Sequence, residues 1–366
     1  MVVRVLKNQE MEANDVISMA ETIEVLEEAF RELGDGRAKI APRKRIHVEE
    51  GGPPDNDDVW YWFNNILGTV PGYDSMALRI DSSLRELADV EGDEAEGDVK
   101  MTYPGDFVGL VLLFDIHDCG LKAIMDDHYL SPLRVAATSA IGTDHLARED
   151  ATVAGMIGAG EQARAHAEAL AAVRDLEEIK VYSPTPASRE SFAADLDPQL
   201  DPAVVAVDAP ATAVRGSDVV TLATNTVEPV IDGSWLDPGT HINSIVGGDQ
   251  FLQRQEFDDE TARRTDRIVV NRLEQAIEDR QGDLYPRFES GLLDPDEIDE
   301  LAALVSGAVP GRRSDSEITM MKNNTGMGIQ FAAVAARIYE NVQGTDIGTE
   351  LPDDLFVTRN EQGYAP

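Results

Sequence analysis

The sequence predicts an α/β fold, a doubly wound parallel sheet accompanied by a second, α+β domain. Three observations predict it. The first is the stretch TVAGMIGAGEQARAHAEAL, Thr152 to Leu170, in which an apolar run turns on Gly158-Ala159-Gly160 and continues as an alanine-rich helix. A buried strand, a glycine turn and a helix in that order open a Rossmann-type dinucleotide-binding sheet. The second is the strand–helix alternation that follows, which right-handed crossovers turn into parallel strands. The third is a run of strand-like segments before Ser131 with no helices between them, the pattern of an antiparallel sheet.

Taken in order, Val2 to Leu6 reads as a short strand. Asn14 to Leu33 reads as an amphipathic helix capped by Asn14 or Asp15 and ended by Gly34 to Gly36. Ile40 to Val48 alternates as a strand and carries Arg43, Lys44 and Arg45. Beyond an acidic loop, Trp60 to Leu67 and Ser75 to Ser82 are strand-like, and Arg85 to Asp98 reads as a charged, mobile surface insertion. Phe107 to Asp115 and Leu121 to Met125 make a hairpin closed at His117 to Gly120. Ser131 then caps a helix with Pro132 in its first position. Strands follow at Ile179 to Tyr182, Val204 to Val207, Val219 to Ala223, His241 to Ile245 and Arg267 to Val270, and two acidic helices run to about Arg313. Thr325 to Asn341 is a long amphipathic helix placed to return to the first domain. At 366 residues the chain exceeds one ordinary core. The expected division is 1–133, completed by 316–366, around a nucleotide-binding unit of 134–315.

Composition excludes some partners. With 31 basic and 69 acidic residues the net charge is −38, which repels nucleic acid and anionic membrane. The acids are spread through periodic, apolar-containing segments, so they form a surface and not a disordered tail. Only 7 of the basic residues are Lys against 24 Arg. An acid-rich, lysine-poor surface suits a cytoplasm full of salt, where the Debye length is about 3 Å at 1 M, and it implies a halophile's protein. The single Cys119 excludes an internal disulfide and fits a reducing cytosol. No run of 18 apolar residues exists and the N-terminus lacks a signal-peptide core. The expectation is a cytoplasmic protein.

In the glycine turn, Gly158 allows the tight bend and Gly160 lets backbone approach a pyrophosphate. Glu161 and Gln162 open the helix whose free N–H groups attract that anion. Ala163 supplies the small position where helix meets strand. Cofactor choice is set at the end of the next strand, VYSPTPASRE. An acidic residue there would bind ribose hydroxyls and repel a 2′-phosphate. This chain has Ser183, Thr185 and Arg189 instead, so NAD and NADP are both admitted, with a slight preference for NADP. His166 falls in the second turn of the helix, facing away from the pyrophosphate, and reads as a packing or solvent-facing residue. His128 and His241 lie nearer ligand edges, but no pair has zinc-ligand spacing, and no metal is assigned.

The segments MDDHYLSPLRVAATSAIGTDHLA, GMIGAGEQARAHAEAL, SDVVTLATNTVEPVIDGSWLDPGTHINSIVGGD and QEFD occur in one order and spacing. Together they resemble the ornithine cyclodeaminase/μ-crystallin family of NAD(P)-dependent proteins, from about Asn14 to Asn341. The resemblance implies an N-terminal substrate-binding and dimerisation domain completed by a C-terminal helix, and therefore a homodimer acting on a small amino or imino acid. It implies that Arg134 holds the substrate carboxylate, a task suited to a planar guanidinium. Asp249, closing HINSIVGGD at the sheet's C-terminal edge, becomes the acid/base on the substrate nitrogen. Glu256 matches a family glutamate and takes a supporting or surface role. Asn225 and Thr226 line the cofactor crevice. Asn323 and Asn324 contact ligand or cap a helix, the cap being favoured. Arg79 stands where much of the family has lysine in the catalytic centre; it can grip a carboxylate but cannot exchange a proton. Arg45 is the better match to the family's first-domain arginine and Arg43 the runner-up, with alternation putting both on one face. The implied activity is an NAD(P)-dependent oxidoreductase acting at the Cα–N bond of an amino or imino acid. The alternatives are ornithine cyclodeaminase itself and a non-enzymatic, nucleotide-dependent binding protein.

Overall fold

The computed structural model describes residues 2–357 apart from 54, 55, 57, 90–98, 103–106 and 250–252. The first sheet holds β1 (Val2–Leu6), β2 (Lys39–Val48), β3 (Val59–Val70), β4 (Ser75–Asp89), β5 (Val99–Thr102), β6 (Val108–Asp115) and β7 (Leu121–Asp126). The alternation of β3 explains its place: Trp62, Asn64, Ile66, Gly68 and Val70 are buried on one face, while Phe63, Asn65, Leu67 and Thr69 are half-buried on the other. From β2 to β7 neighbours pair antiparallel in chain order, with β5 an appendage on β4. The expected insertion from Arg85 is therefore strand as far as Asp89, and its remainder lies outside the described residues.

The second sheet holds β8 (Val153–Ile157), β9 (Glu178–Tyr182), β10 (Ala203–Ala206), β11 (Val219–Leu222), β12 (His241–Ser244), β13 (Arg267–Val270), β14 (Asp299–Glu300) and β15 (Thr319–Lys322). Its order is β10-β9-β8-β11-β12-β15-β13-β14 and every neighbour is parallel. Helices cover both faces, as an all-parallel sheet requires: Met156 of β8 joins one apolar cluster and Ile157 the other. Strand β15 corrects the expected boundary at 316. Its four residues are fully buried between β12 and β13, so the chain leaves this sheet only after Lys322. A four-residue run such as TMMK is too short for periodicity to identify. The chain then returns to the first sheet, where β16 (Thr349–Pro352) pairs with β1.

Two helix starts differ from the sequence reading. The first long helix is Met19–Gly34, and its cap is Ser18 in a capping box with Glu21, not Asn14 or Asp15; Asp15 turns at φ 43 after the separate Asn8–Ala13 helix. The helix before the glycine turn is Leu130–Leu146, with Tyr129 rather than Ser131 at its cap position. Pro132 is tolerated inside that first turn because its missing N–H would have no intrahelical acceptor there.

The last helix, Gly328–Asn341, lies directly on β3. A Cβ on Gly328 would come within 2.0 Å of the Leu67 carbonyl carbon, and one on Gly68 within 2.7 Å of Gly328. This bare backbone contact brings Gln330 and Phe331, both buried, beneath the cleft between the sheets.

Candidate active site

The glycine turn has the geometry of an anion cradle. Gly158 sits at φ 110, and a Cβ there would lie 2.1 Å from the Ala223 carbonyl oxygen, so no other residue fits. Gly160 is the N-cap of the Glu161–Val173 helix; no side chain caps that end, and a Cβ at Gly160 would meet nothing within 4 Å. Free amides and open space are what a pyrophosphate needs, so the residues fit the dinucleotide expected from the sequence. Ala163 is fully buried against the sheet. Glu161 is exposed and Gln162 half-buried at the start of the helix. At the end of β9, Ser183 is buried and Thr185 exposed; Arg189 donates to the Ser183 carbonyl at 2.9 Å and to Asp208 Oδ1 at 2.6 Å. Past β11, Asn225 is exposed and the Thr226 hydroxyl donates to the Glu228 carbonyl at 2.7 Å. His166 is fully buried and belongs to the packing. Its Nδ1 lies 2.6 Å from the Gln162 carbonyl and its Nε2 3.0 Å from Ser139 Oγ on the Leu130–Leu146 helix. Burial lowers its pKa to about 4.

On the first sheet, β2, β3 and β4 form the floor of a cleft of about 220 Å³. The register sets the floor in rows: Arg45–Asn64–Asp81 across three strands, and beside it Ile66–Arg79. Asp249 closes the cleft from the second sheet, 8% exposed, with its Oδ2 3.8 Å from Arg45 Nε. Gly247 and Gly248 line the same wall. Thus Arg43, Arg45, Arg79, Arg134 and Asp249, singled out separately in sequence, come together in one cavity.

The arginines differ in their commitments. Arg45 pairs with Asp279, and Arg79 is held by Asp127 at 2.6 Å and Asp81 at 3.5 Å. Arg134 and Arg43 are different: among the described residues neither touches a carboxylate, and the Nε of each is buried without a partner. Arg134 rests 5.1 Å over the Phe331 ring and donates to Gln330 at 3.3 Å. Arg43 reaches only the Gly326 carbonyl, at 3.5 Å. Burial, then Arg79, lowers Arg134 to about 10, with Asp127 opposing. Burial, then Arg45 and Arg134, pushes Arg43 well below its ordinary value. Guanidinium keeps its proton, so these shifts register crowding of buried positive charge that an anion would relieve. Alternation alone did not separate Arg43 from Arg45. The register of β2 slips between Ala41 and Lys44, and this bulge on an edge strand, next to Pro42, aims Arg43 into the cleft.

Several polar residues act behind the wall. Glu256, expected in a supporting or surface role, is fully buried; it accepts from Ser244 Oγ, Ile245 N and Val246 N at 2.8, 2.9 and 3.0 Å and from Thr224 at 2.8 and 2.9 Å. Lys322, which the sequence reading did not single out, donates to Ser244 Oγ at 2.9 Å and the Val246 carbonyl at 2.8 Å, and pairs with buried Asp283. Together they fix the backbone that leads into Asp249. Burial raises the Glu256 pKa while Lys322 opposes. Asn324 lines the cleft and Asn323 does not, and neither caps the last helix. Asn323 donates to Val135 and Ser139, while Asn324 accepts from Asn271 and Arg272 backbone. His241 is a core residue beside Thr319. His128 lies within 4.8 Å of Asp126 and Asp127, but Asp127 is already the partner of Arg79.

Known proteins share this architecture. An alanine dehydrogenase of Archaeoglobus fulgidus is 29% identical over 349 residues, 95% of this chain and 97% of its own length. The structure of Thermococcus litoralis Delta(1)-pyrroline-2-carboxylate reductase with NADH and L-proline is 30% identical, with a TM-score of 0.80 over 95% of this chain and 100% of that one. An archaeal alanine dehydrogenase dimer with bound NAD is 28% identical, with a TM-score of 0.79 over 96% and 99% of the two chains. The family match extends over residues 97–346, from β5 of the first sheet through the glycine turn and Asp249 to beyond the last helix, and the chain belongs to the ornithine cyclodeaminase/mu-crystallin family.

Proposed function

We propose that the protein is an NAD(P)-dependent oxidoreductase working at the Cα–N bond of a small amino or imino acid. One observation carries the reading: two buried guanidiniums, Arg43 and Arg134, with no carboxylate among the described residues, share a small cleft with Asp249, which follows the same C-terminal edge of the second sheet as the anion-cradling glycine turn. A bound nicotinamide supplies or accepts the hydride. The chain's own residues do the rest. Arg134 and Arg43 hold the substrate carboxylate by charge-assisted hydrogen bonds. Arg79, tied to Asp127 and Asp81, adds positive field and moves no proton. Asp249 takes the proton from the substrate nitrogen in oxidation and returns it in reduction. Fixing both reactants across the cleft removes much of the entropic barrier.

The test is cofactor stoichiometry. Net change in nicotinamide absorbance with each amino acid consumed supports the reading; ammonia released without net cofactor change would assign cyclodeamination instead. A parent protein that binds ligand but turns over nothing, and is matched by Asp249→Asn, would mark a binding protein.

Three finer points belong to the same proposal. NADP is preferred modestly over NAD, because no acid ends β9 and Arg189 is at hand; its partner Asp208 is 96% exposed and can be displaced by a phosphate. The protein is a homodimer through the outer face of the first sheet. There Leu67, Leu78, Leu112 and Ile124 stand in register across four strands, half-buried in the lone chain. It works in a salty cytoplasm, as the charge of −38 and the lysine-poor composition suggest; among the described residues no helix is long and apolar enough to cross a membrane.

A further inference from the structure

We propose that the substrate is a dicarboxylic 2-amino or 2-imino acid, and that Arg85 and Asn64 receive its second carboxylate. This rests on the amino-acid oxidoreductase reading and narrows its substrate class.

The lining comes first. Among the described residues that line the cleft, Ile66 is the single large apolar side chain. Ligand sites are ordinarily apolar with a few polar groups, whereas the described lining is mostly guanidinium, carboxylate and amide and suits a charged substrate end. Charge comes second. Arg43 and Arg134 are both without a carboxylate among the described residues. The α-carboxylate takes up these two, and the cleft is still lined by Arg45, Arg79, Arg85 and Arg254 against Asp81 and Asp249, a positive lining that favours a second carboxylate on the substrate.

Position comes third. Asn64, 5% exposed, stands at the centre of the Arg45–Asn64–Asp81 row. Its Oδ1 is buried without a partner, and no side-chain hydrogen bond engages its amide among the described residues. The oxygen only accepts, so the end that can meet a carboxylate is Nδ2, which no hydrogen bond engages among the described residues and which can donate into the cleft that Asn64 lines. Beside it Arg85 has its Cζ over the Trp62 ring at 4.7 Å, with Nη2 3.3 Å from Asp81 Oδ2 and Nε 3.2 Å from Ser83 Oγ. Arg79 approaches the same Asp81 oxygen from the other side, at 3.5 Å. One carboxylate thus bridges an Arg79 head on the Arg134–Phe331 side and an Arg85 head on the Asn64 side. Because both heads reach one oxygen, at 3.5 and 3.3 Å, they stand close enough for a short dicarboxylate to set its α-carboxylate toward Arg134 and the other toward Arg85.

In the reductive direction a 2-oxo acid and ammonium lose water to give the 2-imino acid. Its Cα then accepts hydride from reduced nicotinamide and its nitrogen a proton, leaving the amino acid and oxidised nicotinamide. The experiment compares oxaloacetate and 2-oxoglutarate with pyruvate and glyoxylate, each with ammonium and either cofactor, on the full chain in molar KCl. The better dicarboxylate is expected to exceed the better monocarboxylate in kcat/KM by roughly 30-fold or more, the scale of one buried charged pair. Arg85→Met and Asn64→Leu should each collapse that ratio toward one, while Arg85→Lys keeps part of it. Equal use of both classes, or variants that lower both alike, overturns the proposal. If no acid is turned over, the oxidoreductase reading fails, and thermal shifts of the cofactor-loaded protein still decide this one. Succinate stabilising more than propionate, with the gain lost in Arg85→Met, supports it; equal shifts overturn it.

Discussion

In the proposed mechanism Asp249 and Arg134 divide the chemistry, and their variants should fail differently. Asp249→Asn keeps the shape and removes the proton acceptor, so kcat should fall by about 10²- to 10⁴-fold while carboxylate affinity, read by titration in the presence of cofactor, changes little. Arg134→Met removes a buried partner of the substrate carboxylate and should cost about 2–5 kcal/mol in kcat/KM, much of it in KM. If Asp249→Asn retained parental kcat, its role as acid/base would be lost. At this scale the sequence was informative wherever a residue sat inside a motif: Asp249 behind two glycines, Arg134 in the LRVAA segment, Gly158 in its turn. It was silent on Lys322, Asn64 and the choice between Arg43 and Arg45. A buried polar residue is understood through its partners, and Lys322 finds Asp283 and Val246 at separations of 39 and 76 residues. The direction of Arg43 depends on a bulge that alternation cannot reveal.

Among elements, the Met19–Gly34 helix and the Gly328–Asn341 helix offer contrasting tests. Ser18→Ala breaks a capping box whose N–H acceptor distance is 3.2 Å, and should cost about 1 kcal/mol in denaturant unfolding without touching activity. Gly328→Ala forces a methyl group to within 2.0 Å of β3 backbone, which cannot swing aside as a side chain can. It should lower the melting temperature by several degrees on the usual scale for overpacking and also lower activity, because Gln330 and Phe331 carry Arg134. An unchanged melting temperature would mean that the helix does not start on β3. Long, strongly periodic elements were legible from sequence, as were the glycine turn and the hairpin. Short ones were not: β15 is four residues long, and its place between β12 and β13 is a matter of topology.

For the whole molecule, charge governs stability. The surface carries most of a net −38, and its self-repulsion is screened only when salt shortens the Debye length. Unfolding midpoints should therefore rise steeply from dilute to molar KCl; a protein equally stable in both would refute the salt-adapted reading. Acid should act through buried imidazoles as well. Burial holds His166 down to about 4 and His241 to about 3, against 6.5 for a free imidazole. The unfolded chain therefore takes up these protons first, and the stability they contribute is whole above pH 6.5 and is lost as pH falls toward 4 and below. His166→Gln should flatten the stability profile across that window in unfolding measured at fixed salt. The arginine-lined cleft then has a consequence for any such salt series. The chloride that screens the acidic exterior is also a small anion facing two guanidiniums that have no carboxylate among the described residues. On the salt-adapted reading, salt keeps the protein folded and should, at the cleft, compete with the substrate. Apparent KM should climb with chloride while kcat holds, and potassium glutamate or sulfate at equal ionic strength should give different slopes. The salt optimum of the enzyme is then a compromise between its outside and its inside.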